Sequence, residues 1–177
     1  MIIEHASTPV TAVETTVRRL ANILGCAAVV LVPPVLRIAL AIPFFRSGLT
    51  RWDGFLSLSP AAAYLFEEEF KLHVLGGVYG FPMPLVVAHL TGIAEIVLPI
   101  LLVLGLGTRF AALGLLIMTG VIQLVVPDGW ANFHLPWAAM ALAIIALGPG
   151  ALSLDRGLDK LCRHATQPSR KAARDGP

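Results

Sequence analysis

The chain has 177 residues, of which 56% are hydrophobic and only 14% charged, whereas charged residues make up about a quarter of a soluble domain. The length leaves room for one domain. The small net charge of +2 and the pI of 8.8 give no nucleic-acid signature and point instead to attraction for anionic lipid headgroups.

In chain order, residues 1–23 read as a polar tail containing Glu4, His5 and Glu14, too acidic for the basic start of a secretory signal. Four apolar blocks follow. They are Leu24–Phe45 (reaching about residue 50), Pro84–Leu104, Phe110–Val126 and Leu135–Leu152. Each holds about 17 to 22 residues, enough for a helix to cross a hydrocarbon core about 30 Å thick. None alternates with the period of two that a barrel strand requires, so each must satisfy its backbone internally as a helix.

The first block contains Pro33 and Pro34 and then Arg37. The proline pair is expected to kink or divide the helix, which leaves open where the span begins. Arg46 to Trp52 reads as an exit, with basic anchors and an interfacial tryptophan. In residues 53–83, Ser59-Pro60 is a helix start, and Ala61–Leu75 is read as one amphipathic helix on the outer membrane surface or over the bundle mouth. Gly105 to Arg109 is a tight turn that makes spans two and three a hairpin. After the fourth span, Ser153 caps a last helix whose Leu154, Leu158 and Leu161 lie beside Arg156, Lys160 and Arg163, an interfacial pattern. The expected fold is all-α: an integral membrane four-helix bundle with an external amphipathic helix and an interfacial C-terminal helix in the cytoplasmic tail, residues 153–177.

The basic residues set the orientation. Arg18, Arg19, Arg109, Arg156, Lys160, Arg163, Arg170, Lys171 and Arg174 all fall on one side of four crossings, while the other receives Arg51 and Lys71 against Asp53, Glu67, Glu68, Glu69 and Asp128. The positive-inside rule places both termini on the cytoplasmic side of the membrane.

Glu95 stands near the middle of the second block, where a carboxylate costs about 2.5 to 3.5 kcal/mol on insertion scales. It is therefore expected to face the bundle interior and to have a mate. Arg37 is the expected counter-charge if the first span begins near Leu24, and it lies at the inner interface if the span begins after Pro34. Arg37, Ala41, Phe44, Gly48 and Arg51 share one stripe of the first helix, which puts positive charge at two levels of an apolar groove suited to a quinone carbonyl. An interfacial, snorkelling Arg51 is the competing reading. His89, Gln123 and His134 mark the outer halves of the other spans, and with Trp130 and Trp137 they could line a quinone pocket near the mouth. Interfacial polar belts explain each of them singly just as well.

Several chemistries find no pattern. Cys26 and Cys162 form no CxxC or CxxCH motif. Glu69 and His73 at i, i+4 are too few for a metal site. Gly105-Leu106-Gly107 lacks the third glycine and the preceding strand of a dinucleotide site. No metal, haem or nucleotide is expected.

The stretches RIALAIPFFRSGLTRW (37–52), FEEEFK (66–71), Ala94-Glu95, LGLGTR (104–109), Ile122-Gln123 and GPGALSLD (148–155) resemble the DoxX family of bacterial four-helix membrane proteins. The resemblance covers about residues 36–160. It implies a multi-pass protein related to the membrane subunit of a thiosulfate:quinone oxidoreductase and to complexes that handle oxidative or thiol stress. On this reading Glu95 and Arg37 are the catalytic candidates, while His134, Gln123, His89, Arg51 and Trp137 are the quinone-binding ones. The expected function is a quinone-linked oxidoreductase component acting with a partner redox protein, with homo-oligomers a further expectation. The competing expectation is a non-catalytic anchor or assembly factor for a redox or metal-handling complex.

Overall fold

The computed structural model describes residues 9–166, with side-chain environments for 13–163. The basic residues Arg170, Lys171 and Arg174 and the acidic start around Glu4 lie outside the described residues. Helix α1 covers Pro9–Leu49, α3 Pro84–Leu104 and α4 Thr108–Val125, while α5 covers Leu135–Leu147 and α6 Leu154–Thr166. One 3-10 turn and one π turn, Pro127–His134, lead into α5 and extend it to a fourth apolar stretch of 21 residues. Four helical segments are thus long and apolar enough to cross a membrane.

The core is built where these helices meet. Leu40, Ala41 and Phe44 of α1 pack with Leu102 of α3, with Ala111, Ala112 and Leu115 of α4, and with Ala141 and Ile144 of α5. The alanines let the backbones approach, which is how helices associate when lipid removes the hydrophobic drive between them. Most other large apolar side chains point outward, as a lipid-facing surface requires.

Helix α1 is not divided at the proline pair, division being one of the two outcomes expected there. It runs through Pro33 and Pro34 as one helix of 41 residues, about 60 Å long and twice the thickness of a hydrocarbon core. The prolines remove the helical N–H partners of the Val29 and Val30 carbonyls, but hydrogen bonding resumes on either side. Residues 13–32 are exposed throughout, and burial starts at Pro33. The part of α1 inside the bundle is therefore its second half.

Residues 52–83 are not one amphipathic helix either. Trp52–Gly54 (β1) pairs with Ser57–Leu58 (β2), a short α2 covers Pro60–Tyr64, and a π turn covers Leu65–Glu69. Lys71–Val74 (β3) then pairs antiparallel with Gly77–Gly80 (β4). Ser59 accepts a hydrogen bond from the Ala62 N–H and caps α2 as its sequence indicates. The helix ends at Phe70, whose backbone is extended. Beyond it, Leu75 and Gly76 both take positive φ, 51° and 81°, the mirror-image turn that matches strand twist. This cap packs against the ends of α3 and α4, and the His73 Nδ1–H donates to the Leu124 carbonyl at 3.2 Å.

At the opposite end, α3 stops at Gly105 (φ 71°), and the Leu106 N–H reaches back to the Leu101 carbonyl at 2.9 Å, closing the terminus as a left-handed glycine cap does. Helix α4 begins without a capping side chain of its own. Asp155, from the start of α6, supplies the cap: its carboxylate accepts from the Gly107 N–H at 2.7 Å, the Thr108 N–H at 3.0 Å and the Thr108 hydroxyl at 2.8 Å. Ser153 accepts from the Arg156 N–H at 3.3 Å, so it caps α6 as expected.

Candidate functional site

A cavity of about 500 Å³ lies between α1, α3, α4 and the cap, within the size range of small-molecule sites. Its walls are largely apolar, from Phe44 and Trp137 at one side to Phe66, Phe70 and Phe81 of the cap at the other. Its polar residues are Ser47, Arg51, Thr91 and Glu95.

Glu95 is 3% exposed and points into the bundle, as its depth demanded. Its mate is Arg51, not Arg37. The Arg51 Nε–H donates to Glu95 Oε2 at 2.9 Å and an Nη2–H to Oε1 at 3.0 Å, a two-pronged pairing that suits a planar guanidinium. The Ser47 hydroxyl adds a longer bond to Oε2 at 3.3 Å. Gly48 permits the pairing: a Cβ there would lie 3.0 Å from the Glu95 backbone carbon and Cβ, so a larger residue would hold α1 away from α3. Arg51 also lies over Phe66, 4.9 Å from its ring centroid, where the ring face attracts the cation. Snorkelling does not describe this arginine, whose side chain is 12% exposed.

Arg37 lies about four helical turns (~21 Å) away along α1, at the end of the bundle where α3 turns into α4. It is 3% exposed and donates from Nη2 to the Leu152 carbonyl. Its Nε and Nη1 have no hydrogen-bond partner. The first stripe of α1 is nevertheless real, since Arg37, Ala41, Phe44 and Gly48 are all buried. The sequence could not place Arg37 without knowing how much of α1 stands outside the bundle.

The mouth-side residues converge only in part. The His134 Nδ1–H donates to Gln123 Oε1 at 2.6 Å, and the Gln123 amide donates to the Pro127 carbonyl at 3.0 Å. His134 is 3% exposed, and its ring centroid lies 5.6 Å from that of Trp137. Neither His134 nor Gln123 lines the cavity, but Trp137 does, so the pair backs the cavity wall. His89 is elsewhere, donating to the Leu85 carbonyl at 2.8 Å and meeting Trp52 edge-on at 5.9 Å. The site residues that sequence reasoning missed are Phe66, Phe70 and Phe81. FEEEF offered a signal, because two aromatics four apart bracket three exposed glutamates.

Glu69 closes the π turn and His73 stands in β3, so the two do not share a helix face. Among the described residues no group of three or more His, Cys, Asp or Glu is placed to hold a metal ion.

The bundle and its buried ion pair define a multi-pass membrane protein. The DoxX family model matches residues 32–128, more than half of the chain, and the chain belongs to the DoxX family. The match ends before GPGALSLD, so that motif and Asp155 lie beyond the matched stretch. An uncharacterized protein of Haemophilus influenzae is 30% identical over 139 residues, covering 72% of this chain and 83% of its own length. No solved structure gives a significant match.

Proposed function

We propose that this protein is the membrane component of a quinone-linked oxidoreductase and that the cavity beside the Arg51–Glu95 pair receives the quinone head. The observation that carries the reading is a charged fork at one end of an aromatic-walled cavity. The donor set fits such a ligand: Arg51 for a carbonyl oxygen, and Phe44, Phe66, Phe70, Phe81 and Trp137 for the face of a ring. A bound quinone supplies the capacity to accept two electrons and two protons. The chain's own residues bind, orient and exclude water. Five N–H groups project from a guanidinium and Glu95 takes two of them, so Arg51 has donors left for a ligand. Glu95 is the carboxylate able to hold a proton at Oε1 or Oε2 when Arg51 turns toward a ligand, while Ser47 stays on the Oε2 side.

Electrons must come from a partner, because neither cysteine belongs to a redox motif. In this reading the partner redox protein docks on the cap, supported by the exposed Glu67, Glu68 and Glu69 and by Phe55 and Leu75 at the hairpin tips, both fully open to the surroundings. Both termini are assigned to the cytoplasmic side of an inner membrane from the bias of basic residues.

Thermal unfolding of the purified protein with a short-chain quinone tests the reading. Binding at 100 times the dissociation constant stabilises by about 2.7 kcal/mol and should raise the midpoint for the wild type. Ala94→Trp, which fills the cavity, and Glu95→Gln should each remove the rise. A rise that survives both variants places the ligand elsewhere. No rise in the wild type favours the anchor role.

A further inference from the structure

A second concavity lies at the far end of the bundle from Glu95. We propose that it is a binding site for one anionic phospholipid, with Arg156 taking the phosphate and the exposed first half of α1 taking an acyl chain. The groove, about 540 Å³, is walled by Val29, Val32 and Pro33 of α1, by Leu147 at the end of α5 and by Pro149 and Ala151 after it, with Arg156 as its charged residue. Gly150 brings the walls together: its φ is +78°, and a Cβ there would lie 2.5 Å from that of Pro33.

The groove takes a lipid of this charge for three reasons. It lies where α5 ends and α6 begins, so its apolar walls meet acyl chains and its cation meets headgroups, the setting in which basic pockets between helices hold anionic lipids. The carboxylates nearby are already committed, Asp155 to Gly107 and Thr108 and Asp159 to Arg163 at 3.0 Å. Among the described residues Arg156 and Arg109 form no salt bridge, and the Arg109 guanidinium lies against Gly148. Finally, Arg37 is one turn from Pro33 on the same face, and its buried Nε and Nη1 have no hydrogen-bond partner, so a second cation, offset in part by Asp155, lies beneath the groove.

Native mass spectrometry of the full chain in detergent reads the site directly. Phosphatidylglycerol should be retained, and phosphatidylcholine with identical chains should bind about tenfold more weakly. Arg156→Gln should erase that preference, and Val32→Trp, at a half-exposed wall position, should reduce retention of both lipids. Lys160→Gln, an equal loss of charge outside the groove, should retain phosphatidylglycerol like the wild type. Equal binding of the two lipids overturns the proposal. So does an Arg156→Gln effect that Lys160→Gln reproduces, which is diffuse surface attraction, and so does displacement by millimolar inorganic phosphate, which is a free-anion site.

Discussion

At the scale of single residues, the burial of Glu95 makes its pairing with Arg51 asymmetric in cost. Removing one partner leaves the other charge unpaired in a low-dielectric interior, a loss of about 3 to 5 kcal/mol, whereas replacing both by apolar residues of similar volume is often neutral. Arg51→Met should therefore lower stability in denaturant titration by about that amount, and Arg51→Met with Glu95→Leu should recover most of it. Additive losses would mean that the two side chains do not act as a pair. Gly48→Leu is a second test of the same contact, because its side chain would meet Ile96 and the Glu95 backbone and force α1 from α3. Its unfolding midpoint should fall even though both charged residues are intact. Glu95 itself was legible in the sequence, since an acid at mid-span has to turn inward. Its mate was not, because two arginines share one stripe and spacing alone cannot say which reaches the depth of residue 95.

At the scale of elements, the start of α4 depends on a residue nearly fifty positions later. Burial pushes the Asp155 carboxyl up, but the hydrogen bonds from Thr108 and Gly107 and the charge of Arg37 more than offset this, so its pKa lies below the ordinary 3.8. A carboxylate depressed in the folded state contributes stability that is present above the unfolded value and lost as pH falls through the folded one. Stability of the wild type should hold above about pH 4 and decline below it through this group. Asp155→Ala should be less stable at neutral pH, by about 0.5 to 2 kcal/mol as for a lost cap, and should lose that part of the acid dependence. An unchanged acid limb in the variant would assign the dependence to other carboxylates. The sequence did not show this clasp: Gly105 to Arg109 reads as a tight turn, and nothing in the spacing says that Asp155 returns to it. The cap over the cavity was misread for a comparable reason. Gly76-Gly77 reads as the end of a helix reaching Leu75, whereas it lies at the turn of a hairpin whose first strand, Lys71–Val74, the apolar spacing from Ala61 onward suggests to be helical. The blocks at Pro84–Leu104 and Phe110–Val126 were plain, because long uninterrupted apolar runs can be satisfied in lipid only as helices.

For the whole molecule, the four segments put the start of α1 and helix α6 at one side of the bundle and the cap at the other. In a background lacking both native cysteines, a single cysteine at position 158 and one at position 55 should react with an impermeant thiol reagent from opposite faces of the membrane. Labelling of both from one face would break the four-crossing arrangement. The first half of α1 belongs to this scale as well. Residues 13–32 carry Ile23, Leu24, Val29 and Leu31 at more than half exposure, which no aqueous environment would tolerate as a bare rod. Trimming the chain to begin at residue 33 should leave the cavity and the Arg51–Glu95 contact folded, as read by an unchanged quinone response, while phosphatidylglycerol retention is lost.

The contact between Arg51 and Glu95 also bears on how the chain is made. Residue 51 leaves the ribosome before residue 95, so a cation already stands at the end of α1 when the acid arrives. Helix α3 need never wait in lipid with a bare charge, provided that α1 is threaded first and stays near. The order of the two residues along the chain thus favours biogenesis in which each new span docks onto the last.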